Sequence, residues 1–238
     1  MIEIKNLVKK FESFTAVDNL NLSVESGEIF GFLGPNGAGK TTTVKMISGI
    51  MSPTSGSIIV NGVDLAKNPV EAKKKIAYIP DEPFVYPNLT AREFLRFIGD
   101  IYEIPEAEQD EAIETYLSRF ELLDKADQLL GSFSHGMKQK TLIAGVLMRR
   151  PRVILFDEPT VGLDPRSVRN FKELISSQTE KGVSVFMCTH ILEMAEKICD
   201  RVGIIYNGNM VSCGPVSQLR KETGNNGSLE DIFLELTA

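Results

Sequence analysis

The stretch that decides the fold is "GPNGAGKT", residues Gly34–Thr41, which fits the pattern G-x-x-x-x-G-K-[ST] at every position. Glycines let successive backbone N–H groups turn toward one anion, and the N-terminus of a following helix adds its dipole. Lys40 can then reach the β- and γ-phosphates of a nucleoside triphosphate, and Thr41 can place its hydroxyl on Mg²⁺. A plain glycine-rich turn is the alternative, but an apolar strand before the motif and a helix after it favour a phosphate site.

Composition narrows the class of protein further. The chain has 238 residues, of which 42% are hydrophobic and 24% charged, with a net charge of −6 and a pI of about 5.2. This describes a globular protein with a sizeable core, and its acidic balance argues against nucleic-acid binding. Cys188, Cys199 and Cys213 have no paired spacing, which favours reduced thiols. No apolar run could span a bilayer and no signal peptide is recognisable, so we expect a cytoplasmic protein.

The order of apolar segments predicts an α/β fold. "MIEIKNL" and "LNLSV" alternate apolar and polar residues, as strands with one wet face do. "EIFGFLG", "RVILFDEP" and "GVSVFMCTH" read as buried strands, and strands that alternate with helices favour a mainly parallel sheet. Between Leu89 and about Gln128 the pattern becomes helical, with Thr90 as a plausible N-cap. We therefore expect an all-helical insertion between two β/α segments.

A second acidic site belongs to the same chemistry. "VILFDE" puts Asp157 and Glu158 at the end of a buried strand. Such a strand can fix Asp157 beside the phosphates, where its carboxylate holds Mg²⁺ through water. Glu158 is then placed to orient and polarise an attacking water. Paired acids at a strand end are often only a solvated turn, but the phosphate motif favours the catalytic interpretation.

The order of the motifs carries a family resemblance. "GPNGAGKTT" is followed by "IAYIPDEP", "FSHGMKQK", "VILFDEPTVGLDP" and "MCTH", and nearly the whole chain takes part. In this order the chain resembles the ATPase subunit of ABC transporters, with the general look of bacterial exporter-type systems. The resemblance implies a P-loop NTPase core with a mainly parallel sheet, an N-terminal antiparallel β-subdomain and an inserted α-helical subdomain. We expect one domain over 1–238, with the core at about 1–80 and 145–238 and the helical subdomain at about 82–144.

The resemblance also assigns roles to residues in the nucleotide-binding core. Phe11 matches the aromatic residue that stacks on adenine, although it could be a core phenylalanine of the β-subdomain, and Phe14 is its rival. His190 matches the switch histidine that contacts the γ-phosphate, and with Glu158 and Lys40 it completes the expected catalytic set. The expected ATP contacts are Phe11 together with Gly34, Pro35, Asn36, Gly37, Ala38, Gly39, Lys40, Thr41 and Thr42.

Other assignments concern the metal and the partner subunits. Ser134 and Gly136, with His135 between them, match the signature that grips the γ-phosphate held by the opposite subunit. Asp164 matches the loop that crosses the dimer interface, although it could equally be an N-cap before a helix. The expected Mg²⁺ ligands are Thr41, Asp81 and Asp157.

Two positions depart from the family pattern. Asp81 stands where the family usually has a metal-sensing glutamine. Its carboxylate could still ligate Mg²⁺, or could weaken nucleotide binding through its charge. His135 replaces the first glycine of the usual Ser-Gly-Gly, and its Cβ is tolerable there only if the position is already helical. No second histidine or cysteine pair lies nearby to make His135 a metal ligand.

The resemblance implies an ATP-hydrolysing subunit that drives transport. ATP and Mg²⁺ would join two nucleotide-binding subunits, with a homodimer expected, and hydrolysis would release them. The helical insertion, with "PFVYPNLT" at its mouth, is where the family docks a membrane permease, here on a separate chain. The protein would then work at the inner face of the cell membrane. The alternatives are a soluble ABC-type ATPase acting on ribosomes or chromosomes, and a regulatory nucleotide-binding subunit with reduced hydrolysis.

Overall fold

A computed structural model describes residues 1–159, 165–224 and 227–237. It divides them into two compact units. The first comprises residues 1–78, 152–159 and the described part of 165–238, and the second comprises residues 79–151. Asp164, the expected interface residue, lies outside the described residues.

The strands and helices are as follows. The strands are β1 (Ile2–Phe11), β2 (Phe14–Val24), β3 (Ile29–Leu33), β4 (Ser55–Val60), β5 (Val63–Asp64), β6 (Ile76–Ile79), β7 (Val153–Asp157), β8 (Ser184–Thr189), β9 (Arg201–Tyr206) and β10 (Asn209–Gly214). The helices are α1 (Lys40–Ile47), α2 (Pro69–Lys75), α3 (Ala91–Ile101), α4 (Glu106–Arg119), α5 (His135–Met148), α6 (Pro165–Thr179), α7 (Leu192–Ile198), α8 (Val216–Thr223) and α9 (Leu229–Thr237).

A six-stranded sheet with the order β10-β9-β3-β8-β7-β6 positions the candidate site. The pairs β9–β3, β3–β8 and β8–β7 are parallel, whereas β10 pairs with β9 antiparallel. Every residue of β3, β7 and β8 is buried, as continuous apolar strands in a parallel sheet should be. Leu33 pairs with Thr189, and Asp157 pairs with Cys188. The register therefore brings the carboxyl ends of β3, β7 and β8 to one edge.

A second sheet, with the order β2-β1-β4-β5, is antiparallel throughout. The turn between β4 and β5 is Asn61–Gly62, and both residues have positive φ, as the tight hairpin signal "NG" predicts. One buried apolar cluster joins this sheet to the six-stranded one. It includes Ile2 and Leu20 from the antiparallel sheet and Phe30, Phe32 and Phe186 from the parallel one. The predicted fold class, with its antiparallel β-subdomain, is confirmed.

The second unit is built on α3, α4 and α5, which pack against one another. Helix α3 begins with a capping box, in which the Thr90 hydroxyl accepts from Glu93 N and the Glu93 carboxylate accepts from Thr90 N. This confirms the predicted N-cap. Helix α5 continues without a break to Met148, so the unit runs to Pro151 rather than to about 144. In the described part of the chain, no helix combines the length and apolar character needed to cross a membrane.

Candidate functional site

The backbone of residues 34–39 is confined so closely that side chains are excluded at two positions. A Cβ at Gly34 would lie 2.4 Å from the carbonyl oxygen of Ile205. At Gly39 it would lie 2.5 Å from the carbonyl oxygen of Ala16, and φ there is +110°, a region that favours glycine. The loop therefore turns tightly from the end of β3 into α1, as a phosphate-binding loop must.

Lys40 begins α1 and is almost completely buried. Its Nζ donates to the carbonyl oxygens of Gly34 (2.7 Å) and Pro35 (3.1 Å). These bonds hold the positive charge against the loop itself. An ammonium at the start of a helix that follows a glycine-rich loop is complementary to a polyphosphate.

Thr41 and Asp157 meet across the site from elements distant in sequence. Thr41 Oγ1 lies 3.5 Å from Asp157 Oδ1, and Asp157 is the buried last residue of β7. Two oxygen ligands at this spacing fit Mg²⁺, which prefers oxygen and takes its remaining ligands from water and phosphate. Within the described ranges there is no group of three or more His, Cys, Asp or Glu side chains that could hold a metal ion.

Glu158 and His190 form a pair at the same edge of the sheet. His190 Nδ1 lies 2.8 Å from Glu158 Oε1, and His190 N donates to Glu158 Oε2 at 3.3 Å. The side chain of Glu158 is 13% exposed and that of His190 is 56% exposed. Glu158 has φ +50°, an uncommon conformation for a residue with a Cβ, and its N–H donates to the carbonyl oxygen of Cys188. Strained residues of this kind cluster at functional sites.

Cys188 lies at the candidate site, although the sequence alone did not assign it there. It is fully buried in β8, and its Sγ donates to the carbonyl oxygen of Lys40 at 3.8 Å. Burial raises the pKa of this thiol well above its ordinary value, and the nearby Asp157 carboxylate adds to the rise. The thiol therefore stays neutral and packs under α1. Its position directly before "TH" in "MCTH" is the signal that could have found it.

Phe11 and Phe14 flank the turn between β1 and β2. Their rings stack with centroids 5.3 Å apart, and the two residues are 39% and 58% exposed. The ammonium of Lys9 lies 5.3 Å from the centre of the Phe11 ring. The alternative that Phe11 is a core residue of the β-subdomain is wrong, because its ring lies at the surface, where β1 ends.

The second unit holds the signature residues at the start of α5. Ser134 is the N-cap, and its Oγ accepts from Met137 N at 3.4 Å. His135 is the first residue of the helix, so its backbone is helical and a Cβ there causes no conformational strain. Its side chain is exposed. The condition under which a histidine is tolerable at this glycine position is therefore met. Asp81 is also exposed, in the segment that follows β6.

The phosphate-type loop, the acid-ended strand beside it and the fold point to one class of protein, and comparison with known proteins agrees. The family model described as ABC transporter matches residues 17–161, and the chain belongs to this family. The chain is 38% identical over its full length to the linearmycin resistance ATP-binding protein LnrL of Bacillus subtilis, of which it covers 75%. It is 39% identical over 99% of its length to the probable multidrug ABC transporter ATP-binding protein YbhF of Escherichia coli.

The chain spans only 41% of the length of YbhF. A solved structure described as the ATP binding subunit of an ABC transporter superposes with a TM-score of 0.95 at 35% identity, with both chains covered completely. These likenesses agree with the fold class and the family expected from the order of the motifs.

Proposed function

We propose that this chain binds ATP with Mg²⁺, hydrolyses it, and so drives transport through a membrane permease on a separate chain. The observation that carries the proposal is the meeting of two pairs at one sheet edge. Thr41 approaches Asp157 beside the loop at residues 34–39, and Glu158 approaches His190 next to them. One pair suits a metal-bound triphosphate, and the other suits the water that attacks it.

The loop and Lys40 would bind the phosphates. The ammonium that now bonds to Gly34 and Pro35 can exchange these carbonyls for phosphate oxygens, which carry full negative charge and make stronger hydrogen bonds. Thr41 and Asp157 would hold Mg²⁺, directly and through water. When bound, that ion neutralises charge that develops on the transferred phosphoryl group.

Glu158 would orient the attacking water and accept its proton, and His190 would contact the γ-phosphate. The contacts of Glu158 with the backbone N–H and the ring of His190 support a coupled role for the two residues. A carboxylate held on two sides points its charge in a defined direction, which is what positioning a water requires. Phe11 would stack on adenine, with Phe14 as its neighbour in the exposed aromatic pair.

A second copy of the chain would complete the site. Ser134, His135 and Gly136 lie at the start of α5, where N–H groups point out of the helix and favour an anion. We expect them to contact the γ-phosphate of ATP on the partner subunit, with Asp164 at the dimer interface and Asp81 near the metal. His135 would modulate the signature contact rather than catalyse.

The second unit carries a surface suited to the permease. Phe84 is 75% exposed, and it contacts Tyr86, which in turn contacts Phe97. Clustered exposed aromatic side chains mark interaction surfaces, and the corresponding "PFVYPNLT" region is where the family docks its permease. The protein would then be peripheral on the inner face of the membrane. Its acidic charge of −6 argues against the ribosomal or chromosomal alternative.

The test compares Glu158→Gln with Lys40→Ala. Glu158→Gln removes the proton acceptor and should lower kcat about 100-fold or more, while ATP still binds. We expect this variant to run as a dimer in size-exclusion chromatography with MgATP and as a monomer without it. Lys40→Ala should lose tight ATP binding, and Glu180→Gln, an exposed control with the same change of charge, should behave as the parent.

Two outcomes would contradict the proposal. Equal hydrolysis rates in Glu158→Gln and the parent would remove Glu158 from catalysis and favour the regulatory alternative. A Glu158→Gln protein that binds ATP but stays monomeric would contradict the homodimer, and mixing with a paralogous subunit would then test a heterodimer.

A further inference from the structure

His190 is attached to the rest of the protein on both sides. On one side it follows β8 directly and bonds to Glu158. On the other, the Thr189 hydroxyl accepts from Ile191 N at 3.0 Å, and α7 begins at Leu192. The position of the His190 ring therefore depends on where α7 is held as well as on the sheet.

One carboxylate of helix α7 joins it to two other helices. Glu196 Oε1 accepts from Arg220 Nη2 of α8 at 2.5 Å, and Oε2 accepts from Leu229 N, the first residue of α9, at 3.2 Å. Arg220 also donates from Nε to the carbonyl oxygen of Gly227. Both partners of Glu196 are distant in sequence, and its side chain is 27% exposed, so this is a partly buried tertiary clamp.

Apolar packing connects the same helices to the phosphate loop. Leu219 of α8 and Leu229 of α9 are buried in one cluster with Ala195 of α7 and Leu33 of β3. Leu33 is the residue directly before Gly34. The two C-terminal helices therefore pack against both arms of the site, the strand that leads into the loop and the helix that follows His190.

We infer that α8 and α9 act as a brace that positions His190, and that Glu196 is the positioning residue through which they do so. The inference rests on the proposed function for the role of His190 in hydrolysis, but its structural part does not. A helix of seven residues cannot hold its own place, because so short a helix is not stable alone. Without the clamp, α7 and the His190 ring would move relative to the loop at residues 34–39.

The first experiment monitors the position of the His190 ring by a spectrum that does not depend on ATP hydrolysis. The chain has two histidines, His135 and His190, so a spectrum restricted to the imidazole Cε1–H pairs contains two signals. Glu196→Gln keeps the side-chain size but loses the charge that binds Arg220. We expect the His190 signal to shift or broaden, while the His135 signal, from the other unit, stays unchanged.

The matched control is Glu193→Gln, on the same helix one turn earlier. Glu193 is exposed and forms an ion pair with Lys197 of its own helix, so we expect both histidine signals to stay in place. Unfolding of Glu196→Gln would move both signals, and Arg220→Gln then provides a second removal of the same pair. An unchanged His190 signal in a folded Glu196→Gln or Arg220→Gln protein would overturn the inference.

The second experiment measures hydrolysis. Glu196→Gln should lower kcat about threefold to tenfold with little change in KM for ATP, because the loop itself is unaltered. In a His190→Ala background the same change should add no further loss, since residues that act as a unit are not additive. An equal loss in both backgrounds would show that Glu196 acts elsewhere. If His190→Ala leaves hydrolysis intact, the role proposed for His190 in hydrolysis fails, whereas the shift of the His190 signal still tests the brace.

Discussion

Gly37 and Gly39 belong to the same loop but meet different surroundings. Gly37 has φ +81°, and nothing lies within 4 Å of the position that a Cβ would take. Gly39 has φ +110°, and a Cβ there would lie 2.5 Å from the carbonyl oxygen of Ala16. Backbone conformation therefore constrains the first position, and both conformation and close packing constrain the second.

We expect Gly37→Ala to lower the free energy of unfolding by about 1–2 kcal/mol, the strain of a left-handed alanine. Gly39→Ala should lower the free energy of unfolding by clearly more, because it adds a clash with backbone atoms that cannot move without disturbing the fold. Urea denaturation of the three proteins measures the difference. Equal losses in the two variants would mean that the close approach to Ala16 contributes nothing.

At the scale of single residues, the sequence predicted chemical roles more readily than side-chain exposure. The roles expected for Lys40 and Thr41 rest on one local motif and that of Asp157 on another, and the structure brings these three side chains to one edge. Exposure was harder to predict. Phe11 had a core alternative because an aromatic residue at a strand end can point either way, and only the geometry of the turn put its ring at the surface.

The start of helix α3 is determined by residues that are close together in the sequence. Thr90 and Glu93 satisfy each other's backbone N–H groups, with Thr90 N to Glu93 Oε2 at 2.8 Å and Glu93 N to Thr90 Oγ1 at 3.2 Å. The Thr90 contact lowers the pKa of the Glu93 carboxyl, since hydrogen bonds to the charged form favour it. The N-cap was predicted because its signal spans only four residues.

Thr90→Ala removes the cap and should lower the free energy of unfolding by about 1 kcal/mol. Thr115→Ala, at an exposed position within α4, is the control for loss of a threonine. It should not lower the free energy of unfolding by a comparable amount. Urea denaturation followed by helical circular dichroism measures both. A Thr90→Ala protein as stable as the parent would contradict the importance of the capping box.

At the scale of the whole molecule, residues from distant parts of the chain share one site. Lys40 follows β3, Glu158 follows β7 and His190 follows β8. Parallel pairing of these strands aligns their carboxyl ends, which is where open α/β sheets bind ligands. A ligand at this edge would contact several elements at once, and its binding would stabilise the folded chain as a whole.

MgATP at about 100 times its Kd should therefore raise Tm by about 5–10 °C, following the linkage of binding to folding and the usual dependence of Tm on stability. Glu158→Gln should show this shift without the decay that hydrolysis causes, and Lys40→Ala should show little of it. Differential scanning calorimetry measures all three. A full shift in Lys40→Ala would mean that the nucleotide binds elsewhere.

The sequence by itself determined the features that depend on neighbours in the chain. These are the phosphate loop, the capping box at Thr90, the Asn61–Gly62 turn and the alternation that predicts a parallel sheet, because each needs only a few adjacent residues. The tertiary structure decided which distant side chains meet. The 2.8 Å contact of Glu158 with His190 and the clamp of Glu196 on Arg220 and Leu229 depend on strand register and helix packing, which no local pattern specifies.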